Sequence, residues 1–249
     1  MIRLRSFTVF LALALLGGCA STSERETTDP KKAAELNSEL GLRYMVQGKN
    51  EQAMEKLLKA VEYDSRSVNA HHYIAELYRR LDRKDKAAEH FSRAASLAPD
   101  DSAIQNNYGI FLCSEQRYDD GEERLLQALN NPVWPGRDQA YENLGQCMLD
   151  KGDPVKAERY FREALKVNGN LAKSLLAMAD ISLQQKNFIS ARAFLQRYSV
   201  LAPHTAHSLW LGIQIERELG DRNALSSYGM SLRNNFPTAE ETQLYLKSK

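Results

Sequence analysis

The chain has 249 residues, of which 33 are basic and 32 acidic, so its formal net charge is +1. This balance argues against nucleic-acid binding, because a nucleic-acid-binding surface needs a strong excess of positive charge. The sequence also lacks a glycine-rich phosphate loop, a nucleophile elbow and a zinc-protease motif. We therefore predict a protein that is not an enzyme, with no cofactor, no bound metal and no small-molecule substrate.

The first 18 residues predict a bacterial lipoprotein signal peptide. Arg3 and Arg5 precede an uncharged apolar run over residues 7–16, which is too short to be a permanent membrane span. The run ends in Leu16-Gly17-Gly18-Cys19, which matches the lipobox, the motif whose cysteine accepts the lipid. The alternative is an ordinary secretory signal followed by a chance cysteine.

Lipidation of Cys19 predicts where the mature protein is held. One acyl chain binds a membrane only marginally, whereas several chains bind it firmly. Ala20 and Ser21 follow the cysteine, in place of the aspartate that retains lipoproteins in the inner membrane. We therefore expect a lipid anchor in the outer membrane, facing the periplasm. Residues 19–33 are then predicted to be the lipidated cysteine and a flexible polar tether.

Three series of residues recur along the rest of the chain at intervals of 33–36 positions. The first series is small: Gly41, Ala75, Gly109, Gly145, Ala179 and Gly212. The second series is also small: Ala53, Ala87, Gly121, Ala157, Ala191 and Ala224. The third series is large and apolar: Leu57, Phe91, Leu125, Phe161, Leu195 and Tyr228. An interval near 34 residues accommodates two helices and leaves no room for strands.

This pattern resembles the tetratricopeptide repeat, in which two antiparallel helices pack closely because each presents a small residue at the crossing. The resemblance implies an all-α fold, a right-handed superhelical solenoid of six helical hairpins over residues 34–238. Residues 239–249 are too few for a seventh hairpin and are predicted to cap the sixth. Solenoids of this kind bind other proteins rather than perform chemistry.

The repeat resemblance also implies a groove lined by the first helix of each hairpin. In the first hairpin it places five residues there, three of them apolar: Glu35, Ser38, Leu42, Met45 and Val46. Such a cluster, with an adaptable methionine, suits an apolar or amphipathic segment of a partner. The later first helices add scattered apolar residues: Ile110, Leu149, Leu176, Leu183, Leu209 and Ile213. The alternative is that residues 31–34 or a terminal cap cover the first-hairpin cluster.

Two cysteines remain once Cys19 is assigned to the lipid. Cys113 and Cys147 lie on the first helices of the third and fourth hairpins in the repeat frame, and such helices run side by side. In an oxidising periplasm we therefore favour a disulfide between them. Two buried free thiols are the alternative, because the geometry of the pair decides the outcome.

The longest interval, between Gly109 and Gly145, contains the segment Asn131-Pro132-Val133-Trp134-Pro135-Gly136. Its two prolines and its glycine predict an ordered loop rather than a helix. Trp134 either packs under this loop or is an exposed anchor for a partner. Elsewhere, His71 and His72 are adjacent on a predicted helix and point about 100° apart, so they cannot chelate one ion together.

The resemblance extends beyond the generic repeat. It is carried by the lipobox, the six repeats and four segments in a fixed order: 107–113 (Asn-Tyr-Gly-Ile-Phe-Leu-Cys), 131–132 (Asn-Pro), 142–147 (Glu-Asn-Leu-Gly-Gln-Cys) and 208–212 (Ser-Leu-Trp-Leu-Gly). Together they resemble the PilF/PilW family of type IV pilus biogenesis lipoproteins. The resemblance implies a pilotin, an outer-membrane lipoprotein that helps secretin subunits reach the outer membrane and multimerise there. An adaptor for barrel assembly and a peptidoglycan-associated scaffold are the alternatives.

Overall fold

A computed structural model describes residues 29–248. Within that range the chain forms thirteen α-helices and no β-strand, which confirms the all-α prediction. The first twelve helices pair as six consecutive hairpins: α1 (Pro30–Val46) with α2 (Asn50–Tyr63), α3 (Val68–Arg80) with α4 (Lys84–Leu97), α5 (Ser102–Ser114) with α6 (Tyr118–Ala128), α7 (Arg137–Lys151) with α8 (Pro154–Val167), α9 (Ala172–Gln184) with α10 (Phe188–Leu201), and α11 (Ala206–Leu219) with α12 (Arg222–Asn235). The last helix is α13 (Glu240–Lys247).

The two helices of each hairpin meet where the small and large series face each other. A β-carbon added to Gly145 would lie 2.6 Å from the ring of Phe161, and one added to Gly109 would lie 2.7 Å from Leu125. Both distances are shorter than any normal van der Waals contact. The small residue in the first helix therefore makes the space that the large residue of the second helix fills.

The turn inside each hairpin contains one residue with a positive φ angle. These residues recur with the repeat: Gly48, Asp82, Gln116, Gly152, Lys186 and Gly220. A residue in the left-handed region stops a helix and reverses the chain. Glycine adopts this conformation without strain, whereas the three other side chains adopt it at a cost.

Consecutive hairpins pack through the second helix of one and the first helix of the next. Leu57 of α2 belongs to the same buried cluster as Ile74 and Leu77 of α3. At the carboxyl end, α13 packs against α11 and α12, where Tyr245 lies directly against Gly229. The final segment thus covers the last hairpin in the way that a following first helix would.

The helical domain begins earlier than the sequence predicts. Helix α1 starts at Pro30, so the last four residues assigned to the flexible tether are helical. The Asp29 side chain accepts a hydrogen bond from the Lys31 amide at 3.0 Å, and proline at the first helical position needs no amide donor. Ala33 and Ala34 are buried, which fixes this first turn. The predicted signal peptide, Cys19 and residues 20–28 lie outside the described residues.

None of the helices between residues 29 and 248 combines the length and the apolar character needed to cross a membrane.

Candidate protein-binding surface

The first helices of the hairpins form the inner wall of the solenoid. Helix α1 contacts α3, α5 contacts α7, and α9 contacts both α7 and α11. In the described chain no two second helices make contacts as extensive as these. The row of hairpins therefore curves toward the first helices, and the candidate binding surface is the wall that these helices line.

Polar side chains connect neighbouring first helices in the middle of this wall. The Nδ2 atom of Asn107 on α5 lies 3.0 Å from Nε2 of His72 on α3. The Nδ2 group of Asn143 on α7 donates a hydrogen bond of 3.2 Å to Oδ1 of Asn106 on α5. Burial lowers the pKa of His72, which favours the neutral imidazole. The middle of the wall is therefore polar, and its side chains are held by one another.

The later part of the wall is tied together by carboxylates. Glu142 on α7 accepts hydrogen bonds from the backbone amide and the hydroxyl of Ser174 on α9, at 3.1 and 2.6 Å. The Asp180 carboxylate lies 3.6 Å from Nε2 of His207 on α11. The interaction of the His207 imidazole with this carboxylate raises the pKa of His207 and outweighs the effect of burial, which lowers it. These contacts set the spacing of the helices along the wall.

The predicted first-hairpin cluster is only partly at the surface, and Met45 is the clearest correction. Its side chain is 2% exposed and packs with Ile74 and Leu77 of the second hairpin. The Arg80 guanidinium covers this point by donating a hydrogen bond of 3.1 Å to the Met45 carbonyl oxygen. The face of α1 that carries Met45 is therefore turned toward α3. Met45 stabilises the junction of two hairpins and is not available on the groove surface.

The other four predicted residues divide between core and surface. Ser38 is 1% exposed, and its hydroxyl donates to the Ala34 carbonyl oxygen at 2.8 Å, so this residue is buried as well. Val46 is 77% exposed, Glu35 is exposed and Leu42 is half-buried. The apolar surface of the first hairpin is therefore smaller than the repeat frame predicts. Partner binding at Leu42, Val46 and Glu35 stays a prediction.

The later apolar positions also divide into two groups. Leu209 and Ile213 are buried in a cluster with Leu232 and Tyr245, because α13 covers this end of the wall. Ile110 is 40% exposed. The remaining residues, Leu149, Leu176 and Leu183, are half-buried and line two open depressions in hairpins four to six.

The first depression has a volume of about 260 Å³ and lies between hairpins four, five and six. Its lining residues include Leu149, Leu176, Lys173, Asp180 and His207. The second depression, about 520 Å³, lies at the turn ends of hairpins five and six; its lining residues include Leu183, Phe188, Gln214, Arg217 and Glu218. Both combine apolar side chains with charges of both signs, which suits a protein segment of mixed character.

The third and fourth hairpins are joined covalently. Cys113 on α5 and Cys147 on α7 form a disulfide with a Cα–Cα distance of 5.5 Å. Gly121 of α6 lies directly against the Cys113 sulfur, and an alanine there would clash with it. The two cysteines and this glycine together set how closely α5, α6 and α7 approach.

The Pro-rich loop before α7 is ordered by its own side chains. Trp134 is half-buried, and its indole lies on Gly136, where an added β-carbon would be 2.5 Å from the ring. The Arg137 guanidinium donates hydrogen bonds to the carbonyl oxygens of Leu129 and Asn131, at 2.7 and 3.3 Å. Of the two alternatives, the structure favours the packed tryptophan.

The structure also pairs two histidines, one on each helix of the second hairpin. The Nδ1 atoms of His71 on α3 and His90 on α4 lie 3.0 Å apart, and Nε2 of His71 lies 3.2 Å from the Ser65 carbonyl oxygen. The sequence contained a sign of this pairing. His71 is four residues before the small residue Ala75 of α3, and His90 is three residues after the small residue Ala87 of α4. Antiparallel helices bring these positions to the same level. Among residues 29–248 no group of three or more potential ligands could hold a metal ion.

Comparison with known proteins places this fold in a family. The tetratricopeptide repeat family matches residues 38–102 and 100–170. The type IV pilus assembly protein PilF of Pseudomonas aeruginosa is 31% identical over 98% of this chain and 99% of its own length. An uncharacterised protein of Haemophilus influenzae is 26% identical over 53% of this chain and 74% of its own length.

Solved structures give the same relationship. The structure of Pseudomonas aeruginosa PilF matches with a TM-score of 0.81 and 31% identity, over 88% of this chain and 99% of that one. The structure of PilW, a widely conserved type IV pilus biogenesis factor, matches with a TM-score of 0.75 and 30% identity, over 86% of this chain and 98% of that one. MamA, at 14% identity and a TM-score of 0.57, shares the fold alone. The chain belongs to the PilF/PilW family of tetratricopeptide-repeat proteins.

Proposed function

We propose that this protein is a pilotin for the type IV pilus secretin. In this role it is held by acyl chains on Cys19 at the periplasmic face of the outer membrane, and it promotes the localisation and multimerisation of secretin subunits. The observation that carries the proposal is the full-length match to PilF, a type IV pilus assembly protein, at 31% identity over 98% of the chain. A role in pilus biogenesis follows from the family, and the pilotin activity is the finer step.

The architecture supports a binding role. A solenoid offers a long inner wall built from rigid helices, and such walls recognise extended or helical segments of other proteins. Here the wall combines a polar middle with apolar groups at Val46, Leu42, Leu149 and Leu176. We propose that secretin subunits dock on this wall and that the first hairpin contributes Leu42, Val46 and Glu35.

The anchor is tested by changing Cys19→Ala. We expect an unprocessed or mislocalised protein on membrane fractionation, with secretin multimers lost from the outer membrane. A soluble, correctly cleaved variant that still supports normal secretin multimers would contradict the role of the anchor. Other outer-membrane barrel proteins serve as the internal control, because a general barrel-assembly adaptor would affect them as well.

The docking surface is tested with the double variant Leu42→Glu with Val46→Lys. Burying an apolar side chain at an interface contributes about 1.5–3 kcal/mol, so two charges there should abolish an interaction of about micromolar affinity. Val46→Lys alone is a second variant that leaves the half-buried Leu42 in place. Val155→Lys is the matched control, since Val155 on α8 is 75% exposed against 77% for Val46.

The readouts are helical content, membrane localisation and secretin multimers. We expect the Val46 variants to remain folded and localised but to lose multimers, while Val155→Lys behaves as the unaltered protein. Normal multimers in the folded double variant would show that the secretin docks elsewhere on the wall. The depressions of hairpins four to six are then the next surface to change.

A further inference from the structure

The first helix of the solenoid exposes two leucines at positions that later hairpins bury. Leu40 is 41% exposed, whereas its repeat equivalents are at most 7% exposed: Ile74, Tyr108, Leu144, Met178 and Leu211. Leu36 is 50% exposed, and four of its five equivalents are at most 3% exposed: Ala70, Ile104, Ala140 and Ser174. The fifth equivalent is the exposed His207.

The later equivalents are buried because a preceding hairpin covers them. Ile104 and Tyr108 of α5, for example, share a cluster with Phe91 and Ala94 of α4. Within residues 29–248 no hairpin precedes helix α1, so Leu36 and Leu40 stand on the open end of the described solenoid. We call Leu36, Leu40 and the flanking Lys32 and Arg43, all exposed, the amino-terminal end face.

The charged residues of this face are arranged around the leucines. Arg43 occupies the position that holds Leu77, Phe111, Cys147 and Ile181 in the next four hairpins. Lys32 precedes Leu36 by one turn, and Arg43 follows Leu40 by nearly one turn, so both lie on the same side of the helix as the leucines. Glu39 follows Leu36 by three residues and precedes Arg43 by four, so one carboxylate lies at the same border as the two basic side chains. The end face is thus apolar at its centre, with two basic side chains and one acidic side chain around it.

The segment between Cys19 and Asp29 has little apolar surface with which to cover this face. Between Cys19 and Asp29 the sequence is Ala-Ser-Thr-Ser-Glu-Arg-Glu-Thr-Thr, which offers one small apolar side chain. Two leucines are also far too little for a separate protein partner, since a stable interface buries about 800 Å² on each side. A surface to which the chain is already tethered has no such requirement, because the tether supplies the effective concentration.

We propose that the amino-terminal end face rests on the phospholipid surface into which the acyl chains of Cys19 insert. This inference rests on the proposed lipid anchor. Nine residues separate Cys19 from Asp29, and an extended chain from one to the other reaches at most about 35 Å, so the end face stays close to the membrane. Leu36 and Leu40 enter the boundary between head groups and acyl chains, and Lys32 and Arg43 contact anionic head groups.

This contact has a consequence for the groove. A protein held only by a flexible tether presents its inner wall in every direction. Once the end face lies on the membrane, the solenoid axis points away from the lipid surface and the inner wall faces sideways, along the membrane. The end face is therefore an orienting contact, and the acyl chains remain the source of membrane affinity.

The test places a fluorescent reporter on the end face of the lipidated protein. Leu40→Cys adds one free thiol, because Cys113 and Cys147 are bonded to each other and Cys19 carries the lipid. The thiol is labelled with an environment-sensitive nitrobenzoxadiazole dye, and the protein is reconstituted in vesicles of phosphatidylethanolamine and phosphatidylglycerol containing nitroxide-labelled lipid. Leu126→Cys on α6 is the matched control, with the same 41% exposure as Leu40.

We expect severalfold stronger quenching by the nitroxide lipid at position 40 than at position 126, together with a blue-shifted emission. Adding Leu36→Glu to the position-40 reporter should reduce the quenching to the control level. Leu58→Glu should leave it unchanged, since Leu58 is also 50% exposed but lies on α2.

The mass of the purified protein separates the two proposals. A lipidated, vesicle-bound protein with equal quenching at positions 40 and 126 overturns the end-face contact and leaves the anchor standing. A mature protein without acyl chains overturns the anchor and, with it, the end-face contact.

Discussion

The junction between hairpins three and four is reinforced in ways that the junction between hairpins one and two is not. A disulfide joins α5 to α7, and Glu122 of α6 binds both Lys156 and Tyr160 of α8. At the first junction, α1 and α3 meet through Met45 and its apolar neighbours, with one hydrogen bond from Arg80. In a solenoid each hairpin contacts only its neighbours, so stability is set junction by junction. The comparison teaches that the middle is built for rigidity, whereas the amino-terminal end depends on packing.

The largest expected effect is the loss of the disulfide. Changing Cys113→Ala with Cys147→Ala should lower the free energy of unfolding by about 3–4 kcal/mol, because a closed loop of about 34 residues restricts the unfolded chain. Urea unfolding measures the difference. Amide hydrogen exchange should show lost protection in α5–α8 and little change in α1–α4. An equal loss of hydrogen-exchange protection in α1–α4 and in α5–α8 would show that the two junctions are not independent.

A second prediction concerns the Glu122 carboxylate. Burial by itself raises the pKa of Glu122, but hydrogen bonds from Lys156 and Tyr160 outweigh it and hold this pKa below its usual value. Burial, followed by the bond to Glu122, raises the pKa of Tyr160 to about 12. Glu122→Ala should cost about 1–3 kcal/mol by leaving these donors without their acceptor.

The matched control for this variant is Glu163→Ala, whose exposed pair with Lys166 is worth about 0–1 kcal/mol. The pH dependence has a definite sign. Because the pKa of Glu122 is lower in the folded state, its stabilisation is present above the usual pKa of 4.5 and is lost as the pH falls through the folded value. A variant as stable as the control would show that the buried carboxylate adds nothing to this junction.

A third prediction concerns acid and the histidine pair of the second hairpin. The Ser65 carbonyl oxygen can only accept, so neutral His71 carries its proton on Nε2 and accepts at Nδ1 from His90. Burial and the neighbouring His71 lower the pKa of His90, with Lys86 acting in the same direction and Glu89 opposing it. A lowered folded-state pKa means that stability is complete above the ordinary value of about 6.5 and is lost as the pH falls below it.

The check is the midpoint of thermal unfolding between about pH 7.5 and about pH 5.5, the range in which histidine titrates. As the pH falls across this range, the unfolding midpoint of the unaltered protein should fall. The amide hydrogen-exchange protection of α3 and α4 should decrease first. The His90→Gln variant has no imidazole to protonate at this position, so its unfolding midpoint should fall less. An identical pH profile for both proteins would rule out this pair as the acid-sensitive element.

The smallest expected effect lies in the turns. Gln116, at the tip of hairpin three, has a φ angle of 61°, which favours glycine. Gln116→Gly should raise the free energy of unfolding by about 0.5 kcal/mol, because relief of left-handed strain exceeds the extra entropy of glycine in the unfolded chain. Gly152→Ala, at the equivalent turn with a φ angle of 85°, should destabilise by about 1 kcal/mol. Equal stabilities for the two variants would show that turn strain does not limit the reinforced region.

The sequence was sufficient to predict the helical hairpins. The small residues of the first helices and the large residues of the second helices are separated by a constant interval. Both recur because the two helices pack in the same way in each hairpin. The contact of Gly145 with Phe161 therefore recurs as Gly41 with Leu57, Gly109 with Leu125 and Gly212 with Tyr228. The same repeat pattern favoured the pairing of Cys113 with Cys147, since neighbouring first helices lie side by side, but only the structure showed that the two sulfur atoms meet.

Only the tertiary structure decided which faces remain available. A repeat frame treats all hairpins as equivalent, and it predicted Met45 as a groove residue although the second hairpin buries it. It also missed the exposure of Leu36 and Leu40, and the pairing of His71 with His90. The periodicity of a sequence specifies how one hairpin packs, because those contacts are local. What covers a given side chain depends on the neighbouring hairpin or on its absence at an end, and this is a property of the assembled solenoid.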